Sequence, residues 1–141
     1  MKLTLLAVGK LRESWVRDGC SEYEKRVRAR LPLDVVEVKT AADLTRRLPP
    51  RAEVWALDER GRELSSAELA EELRRRMSSG APGVALLIGG ADGLPQELLA
   101  GARMRWSLGR LTLPHRLARL VVLEQLYRAL SIVRGEPYHR E

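Results

Sequence analysis

The segment GVALLIGGADG, residues 83–93, constrains the fold of this chain more than any other segment. It is apolar without interruption from Val84 to Ile88, and two glycines follow directly. A strand with one face in water alternates apolar and polar residues, whereas a strand covered by helices on both faces is apolar throughout. The segment therefore predicts a strand in the middle of a parallel sheet that has helices on both sides.

The rest of the chain alternates between strand patterns and helix patterns, which is typical of an α/β fold. Its 141 residues and 45% hydrophobic content predict a single domain that spans residues 1–141. We expect a mostly parallel sheet flanked by helices. The predicted strands are 2–9, 33–39, 52–61 and 83–93, the predicted helices are 13–31, 41–48, 65–80, 95–102 and 113–134, and residues 103–114 are predicted to be extended.

The longest predicted helix, residues 113–134, is apolar on almost every side. Thr112 is its expected N-cap, Pro114 suits its first turn, and Gly135 is expected to end it. A helix on the surface of a domain shows a single apolar stripe. A second apolar face therefore indicates burial against another subunit. The apolar residues of this helix are Leu117, Leu120, Val121, Val122, Leu123, Leu126, Leu130 and Val133.

The charge of the chain favours a nucleic-acid partner. Lys and Arg total 25 against 19 Asp and Glu, the net charge is +6 and the pI is about 10.1. A pI above about 9 is typical of nucleic-acid-binding domains. Of the basic residues, 21 are Arg, whose guanidinium group suits phosphate contacts and stacking on bases. An Arg-rich composition that only aids solubility is the alternative.

Several classes of protein are disfavoured by the composition. The single cysteine, Cys20, allows no internal disulfide, and two histidines without ligand spacing predict no metal site. The apolar run at residues 3–9 is too short for a secretory signal or a membrane span, so we expect a cytoplasmic protein without a membrane anchor. A nucleotide hydrolase is disfavoured because there is no P-loop lysine.

Three turns that follow predicted strands are candidates for a binding site, because ligands of open α/β sheets bind beyond the carboxyl ends of the strands. Gly89 and Gly90 would let a ligand approach bare backbone, although a plain tight turn fits equally well. WALDERG ends another strand in charged residues, and a solvated loop is the alternative. LGRLTLPH, residues 108–115, precedes the long helix and could wrap the apolar part of a cofactor.

The end of the chain, RGEPYHRE, concentrates versatile side chains where order is hard to keep. Tyr138, His139 and Arg140 follow one another there, and the other histidine, His115, lies at the start of the long helix. A mobile polar end is the alternative for the tail, and an ordinary surface residue is the alternative for His115.

These motifs together resemble those of the RlmH family. LLIGGADG, SLGRLTLPH and EQLYRALSIVRGEPYHR follow in the family's order, and the opening MKLTLLAVGK and the YEKR of the first helix are also similar. The resemblance covers essentially the whole chain. The family more often has GGPEG where this chain has GGADG, which keeps the acid and the glycines. RlmH proteins are SPOUT methyltransferases that modify N3 of a pseudouridine, of the pseudouridine-1915 type, in bacterial large-subunit rRNA.

The resemblance implies a deep trefoil knot in the C-terminal half of the chain, which general folding rules would not predict. It also implies that S-adenosylmethionine is the cofactor and that the knot holds it bent among three loops. Those loops coincide with the three turns that the strand pattern already indicates. The cofactor-binding residues carried over are Leu57, Gly89, Gly90, Leu108, Gly109, Arg110, Leu111, Thr112 and Leu113.

The resemblance further implies a homodimer in which each active site is completed by the partner's tail. The substrate would be large-subunit rRNA in the assembled ribosome. The groups available to handle the N3 proton and hold the base are His115, Arg128, Tyr138, His139 and Arg140, and the choice of base between the two histidines stays open. A SPOUT enzyme for another RNA such as tRNA, and a non-enzymatic basic ribosome-binding protein, are the alternatives.

Overall fold

The computed structural model describes residues 1–140 and the side chains of residues 1–138. In this part of the chain five strands alternate with five α-helices, and a short 3-10 helix follows at Pro137–Arg140. The strands are β1 (Lys2–Val8), β2 (Leu33–Val38), β3 (Glu53–Glu63), β4 (Gly83–Ile88) and β5 (Met104–Ser107). The helices are α1 (Ser14–Arg28), α2 (Ala42–Arg47), α3 (Ser66–Ser79), α4 (Gln96–Gly101) and α5 (His115–Val133).

All five strands are parallel and pair in the order β2-β1-β4-β3-β5. β4 lies between β1 and β3, and its residues are buried along its whole length. The predicted α/β fold and the central position of the apolar segment are therefore confirmed. β4 ends at Ile88 rather than at residue 93, because the chain turns there and the backbone N–H of Gly93 donates to the carbonyl of Gly90 over 3.0 Å.

The two faces of the sheet pack against separate helical layers, because successive side chains of a strand point to opposite faces. Leu5 of β1 belongs to the larger core, where it is buried together with Leu73 of α3 and Leu126 of α5. Leu6, the next residue along, belongs to a smaller core with Leu44 of α2. Helices α1, α3 and α5 thus cover one face of the sheet, and the smaller core lies on the other.

Helix α5 packs between α1 and α3, and this contact accounts for much of its apolar surface. The apolar residues that the chain itself buries are Val122, Leu123, Leu126 and Leu130. The apolar residues that stay half-buried are Leu117, Leu120, Val121 and Val133. The second apolar face is therefore smaller than the sequence pattern suggests, and its burial by another subunit stays a prediction.

The ends of α3 follow their sequence signals. The Ser65 hydroxyl accepts from the backbone N–H of Glu68 at 3.0 Å, and the Glu68 carboxylate accepts from the backbone N–H of Ser65 at 2.8 Å. This reciprocal pair satisfies two donors that a helix start leaves free. Gly80 ends the helix with φ of 75°, a left-handed conformation that costs glycine little.

The predicted cap of α5 is wrong. The helix begins at His115, Pro114 occupies the cap position, and no side chain caps the first turn, so Thr112 has no capping role. The physical reason is the proline, because a residue that precedes proline is driven away from helical backbone angles. Leu113 therefore stays outside the helix. At the other end Gly135 follows the helix with φ of 71°, as predicted.

Within residues 1–138, no helix is both long enough and apolar enough to cross a membrane. In the same part of the chain, no three His, Cys, Asp or Glu side chains lie close enough together to hold a metal ion. Cys20 is a free thiol in the larger core. Burial raises its pKa to about 11, against the opposing charge of Arg119, so the thiol stays protonated at neutral pH.

Candidate active site

The predicted cofactor residues lie at one edge of the sheet. β4, β3 and β5 are consecutive parallel neighbours, so their carboxyl ends meet at the same edge. Leu57 lies where the pairing of β3 with β5 is interrupted, the two glycines follow β4, and residues 108–113 follow β5. The residues brought together in this way are Leu57, Gly89, Gly90, Leu108, Gly109, Arg110, Leu111, Thr112 and Leu113.

The charged segment after Leu57 is an irregular part of β3 rather than a free turn. Leu57 and Arg62 both pair with Trp106 of β5, so the residues between them bulge out of the ladder. Gly61 lets this bulge close, since a Cβ there would lie 2.6 Å from the carbonyl oxygen of Arg105. The bulge fixes the position of the segment after Leu57 relative to β5.

The turn at Gly89 and Gly90 is tight for reasons internal to the chain. A Cβ on Gly89 would lie 2.5 Å from the carbonyl carbon of Gly93, and one on Gly90 would lie 3.3 Å from Cγ1 of Val8. Gly93 itself has φ of 73°, which favours glycine. The tight-turn interpretation that the sequence left open is therefore correct for Gly89. The turn still presents backbone at the shared edge of the sheet.

The loop between β5 and α5 offers free backbone and apolar side chains. The Ser107 hydroxyl donates to the carbonyl of Gly109 at 3.0 Å and lies 3.2 Å from its N–H, which shapes the start of the loop. Gly109 has φ of 131°. Within the described part of the chain, no backbone–backbone hydrogen bond involves residues 110–113. Leu111 is 80% exposed, an unusual position for a large apolar side chain.

His115 is the first residue of α5 and is exposed beside this loop. Its neighbour Arg116 forms an ion pair with Glu13 at 2.7 Å, which joins the start of α5 to the start of α1. The histidine that the sequence singled out is thus close in the chain to the predicted cofactor loop.

Arg128 and Tyr138 lie in a second cluster, on the face formed by α1 and α5. The Tyr138 hydroxyl donates to the Glu124 carboxylate at 2.9 Å and lies 3.2 Å from the Tyr23 hydroxyl. The Arg128 guanidinium lies 4.8 Å from the centre of the Tyr138 ring and pairs with Glu124 at 2.8 Å. The ring of Tyr127 packs edge-on against Tyr138 at 4.6 Å. We call these five residues the tail anchor.

A second contact ties the tail to the residues that follow α1. Arg30 donates to both carboxylate oxygens of Glu136, at 2.8 and 2.7 Å, and Arg134 pairs with the same carboxylate at 3.1 Å. The hydrogen bond from Arg30 holds the pKa of Glu136 below its ordinary value. The tail up to Tyr138 is therefore fixed on its own chain. The side chains of His139 and Arg140 lie outside the described residues.

The predicted catalytic residues do not all meet within one chain. His115 and Arg128 are thirteen residues apart on the same helix, which corresponds to about 20 Å at 1.5 Å per residue. His115 lies beside the predicted cofactor loop that precedes α5, whereas Arg128 and Tyr138 belong to the tail anchor. Tyr23 was missed as an anchor residue, although it belongs to the YEKR motif, and the spacing of Glu124 and Arg128, four residues apart on one helix, fits their observed pairing.

The family described as predicted SPOUT methyltransferase matches residues 1–139 of the chain. The chain belongs to the SPOUT methyltransferase family. A curated relative from Anaeromyxobacter dehalogenans (strain 2CP-C), named ribosomal RNA large subunit methyltransferase H, is 47% identical over 154 residues and covers 99% of this chain and 100% of its own length. The resemblance inferred from the motifs is therefore confirmed.

Two solved structures have the same fold as this SPOUT methyltransferase. A methylase family protein from Haemophilus influenzae Rd KW20 aligns with a TM-score of 0.64 and 12% identity, over 96% of this chain and 69% of its own. A methyltransferase from Legionella pneumophila, in complex with the bound cofactor SAM, aligns with a TM-score of 0.51 and 12% identity, over 92% of this chain and 66% of its own. At these identities the likeness concerns the fold alone, and the knot stays a prediction.

Proposed function

We propose that this SPOUT methyltransferase transfers a methyl group from S-adenosylmethionine to N3 of a pseudouridine, of the pseudouridine-1915 type, in 23S rRNA. The observation that carries the proposal is the meeting of three loops at the shared edge of β4, β3 and β5. The name of the Anaeromyxobacter relative supports large-subunit rRNA as the substrate. The net charge of +6 suits an RNA partner.

The residues at this edge fit an adenosine group. The backbone of residues 110–113 is free to bond the polar edge of an adenine, since no backbone partner within the described residues uses it. Leu57 and Leu108 are half-buried beside that backbone, and Leu111 is mostly exposed, so apolar surface is available for the ring. Few polar side chains are needed because the backbone supplies the hydrogen bonds.

S-adenosylmethionine, when bound, supplies an electrophilic methyl group, whose bond to sulfur breaks as the bond to N3 forms. The task of the protein is to remove the N3 proton and to align the nitrogen with the methyl group. His115, at the cofactor edge, and His139, in the tail, are the two candidate bases. Tyr138 and the arginines Arg128 and Arg140 are candidates for holding the base and its negative charge.

We further propose that the active site is completed by a second copy of the chain. Tyr138 is tied to Glu124, nine residues along α5 from His115, which corresponds to about 14 Å. The Tyr138 side chain is thus held at a distance along the helix from the predicted cofactor loop of its own chain. The half-buried residues Leu117 and Val121 offer apolar surface for a partner. A two-fold dimer would then bring each tail to the other chain's loops.

The direct test is methyl transfer to isolated bacterial ribosomes that lack the modification. We expect calorimetry to detect S-adenosylmethionine binding, and mass spectrometry of the digested 23S rRNA to find one methyl group on a pseudouridine. Methylation of tRNA but not of 23S rRNA would contradict the substrate. Absence of both binding heat and methyl transfer would instead favour a non-enzymatic ribosome-binding protein.

A further inference from the structure

A cleft rich in arginine lies along β5, the edge strand of the sheet, away from the predicted cofactor residues. Its volume is about 380 Å³. It is bounded by the end of β3, by α3 and by β5. None of its residues belongs to the predicted cofactor or catalytic set. The residues that line it are Arg62, Glu72, Arg75, Arg76, Arg103, Met104 and Arg105, and we call it the arginine cleft.

Glu72 organises one wall of the arginine cleft. The carboxylate is 5% exposed and pairs with Arg75 at 2.7 Å, with Arg62 at 3.4 Å and with Arg76. Burial alone would raise the pKa of Glu72, but the hydrogen bond and charge of Arg76, with the other two arginines, outweigh it and lower the pKa. Glu72 is thus a fixed negative charge around which three guanidinium groups converge.

Arg76 is held from a second side. Its Nε donates to the Glu53 carboxylate at 2.8 Å, and its guanidinium lies 5.2 Å from the centre of the Trp55 ring. Arg62 and Arg75 contact Glu72 but remain 58% and 57% exposed. Their guanidinium groups therefore keep donors available to a ligand after Glu72 has been satisfied.

The other wall carries charge that no acid balances. Arg103, just before β5, and Arg105, within it, line the cleft and are exposed, and the Arg105 Nε donates to the carbonyl of Leu99 in α4 at 3.0 Å. Among the side chains of residues 1–138, no carboxylate forms an ion pair with either arginine. Five arginines thus line the cleft beside one lining acid, Glu72, and Glu53 pairs with Arg76 from outside it.

We propose that the arginine cleft binds the phosphodiester backbone of the substrate RNA. Arginine presents a planar fork of donors that matches phosphate oxygens, and a row of unbalanced arginines attracts a chain of repeated negative charges. The cleft is open rather than enclosed, as a strand of RNA requires. The identity of the RNA as 23S rRNA rests on the proposed function.

The location of the cleft suits an RNA that also reaches the active site. Arg62 lies opposite Trp106 in the ladder between β3 and β5. Ser107 is the last residue of β5, and the predicted cofactor loop follows it. From Arg103 to Ser107 the strand covers about 13 Å at 3.3 Å per residue. An RNA strand lying along β5 would therefore reach the edge of the sheet that carries the predicted cofactor residues, while its phosphates contact the arginines of the cleft.

The test compares a double variant with a matched control. Arg103→Gln with Arg105→Gln removes two exposed charges from the cleft, and Arg46→Gln with Arg47→Gln removes two exposed charges from α2. We expect the Kd for unmethylated ribosomes to rise about tenfold in the cleft variant only, and the slope of log K against log salt to shrink by about 1.4 to 1.8 for two lost phosphate contacts. Arg103→Lys with Arg105→Lys should restore most of the binding.

Further readouts separate this proposal from the proposed function. The cleft variant should keep wild-type S-adenosylmethionine affinity and thermal unfolding, and its KM for ribosomes should rise while kcat stays unchanged. Equal ribosome affinity and salt slope in the cleft and control variants would overturn the proposal. Loss of ribosome binding with unchanged binding to protein-free 23S rRNA would also overturn it, in favour of a contact with ribosomal protein. If the wild-type protein methylates only tRNA, the proposed function fails. The affinities of the same cleft and control variants for tRNA then test whether the arginine cleft binds RNA.

Discussion

The hydroxyl of Tyr138 donates a hydrogen bond to the carboxylate of Glu124 over 2.9 Å and thereby holds the tail against α5. The hydroxyl of Tyr23 on α1 lies 3.2 Å away on another side. Burial, followed by these two hydrogen bonds, raises the pKa of Tyr138, so the phenol stays protonated and can donate at neutral pH. Because His139 and Arg140 follow directly, the place of Tyr138 determines where they start.

Tyr138→Phe should impair catalysis more than folding. The variant keeps the ring but loses the hydrogen bond to Glu124, which stabilises the fold by about 1 kcal/mol. Displacing the residues that follow should lower kcat by about 10- to 100-fold, since a misplaced catalytic group is costly. S-adenosylmethionine affinity should be unchanged. Steady-state methyl transfer to ribosomes and thermal unfolding measure the two effects.

The matched control for this variant is Tyr127→Phe. Tyr127 packs against Tyr138 through its ring, and no hydrogen bond of its hydroxyl occurs within the described residues. We expect wild-type kcat for it. A Tyr138→Phe enzyme with the same kcat as Tyr127→Phe would show that the hydroxyl does not position the tail.

Gly89→Ala should damage both the fold and the cofactor edge. Its Cβ would meet the Gly93 carbonyl carbon at 2.5 Å, a distance that forces the turn to move. We expect a loss of about 1–3 kcal/mol in the free energy of unfolding, as for other overpacked sites, together with a large loss of S-adenosylmethionine affinity. Gly101→Ala is the control, because a Cβ there meets nothing within 4 Å. Wild-type melting and calorimetry for Gly89→Ala would contradict this account of the turn.

Much of the fold could be predicted because the relevant signals are local. Val84 to Ile88 is apolar without a break, and this alone places β4 inside a covered sheet. Ser65 and Glu68 form a capping pair three residues apart, so the start of α3 is visible in the sequence. Where the sequence failed, at Thr112, a competing local rule decided the outcome, since proline sets the backbone of the residue before it.

The assembly of the site could not be predicted from pattern alone. Leu57, Gly89 and Leu108 meet only because β4, β3 and β5 are neighbours, and strand order depends on how the whole sheet packs. Tyr23 and Tyr138 are 115 residues apart, and no spacing rule connects a helix near the start of the chain with its tail. The resemblance to a family indicated that the tail matters, whereas the structure identifies what holds it.

Val121→Glu should separate a dimer without unfolding the chain, if the second apolar face of α5 is an interface. Val121 is half-buried in the single chain, so a charge there can stay hydrated in the monomer but not between two subunits. Leu123→Glu is the contrasting variant, because Leu123 is fully buried by its own chain and should unfold it. Sedimentation at micromolar concentration and circular dichroism distinguish these outcomes. A monomeric wild type would contradict the shared site.

Mixing two inactive variants tests whether the tail acts on the partner. One chain lacks residues 138–141 and keeps its cofactor loops. The other carries Gly109→Val, which forces a side chain into a backbone conformation with φ of 131° while meeting no neighbour within 4 Å, so the loop changes and the core does not. Each variant alone should be inactive. Mixed dimers should have one complete site, so random mixing in equal amounts should recover about a quarter of wild-type activity.

The same experiment has a clear contrary result. Mixed dimers should first be identified by a tag on one of the two chains. If they form and no methyl transfer returns, the tail serves the cofactor loops of its own chain, and the contact between Tyr138 and Glu124 must open during the reaction. Wild-type methyl transfer by an otherwise intact chain that carries Val121→Glu and sediments as a monomer would exclude a shared site in the same way, because monomers would then suffice.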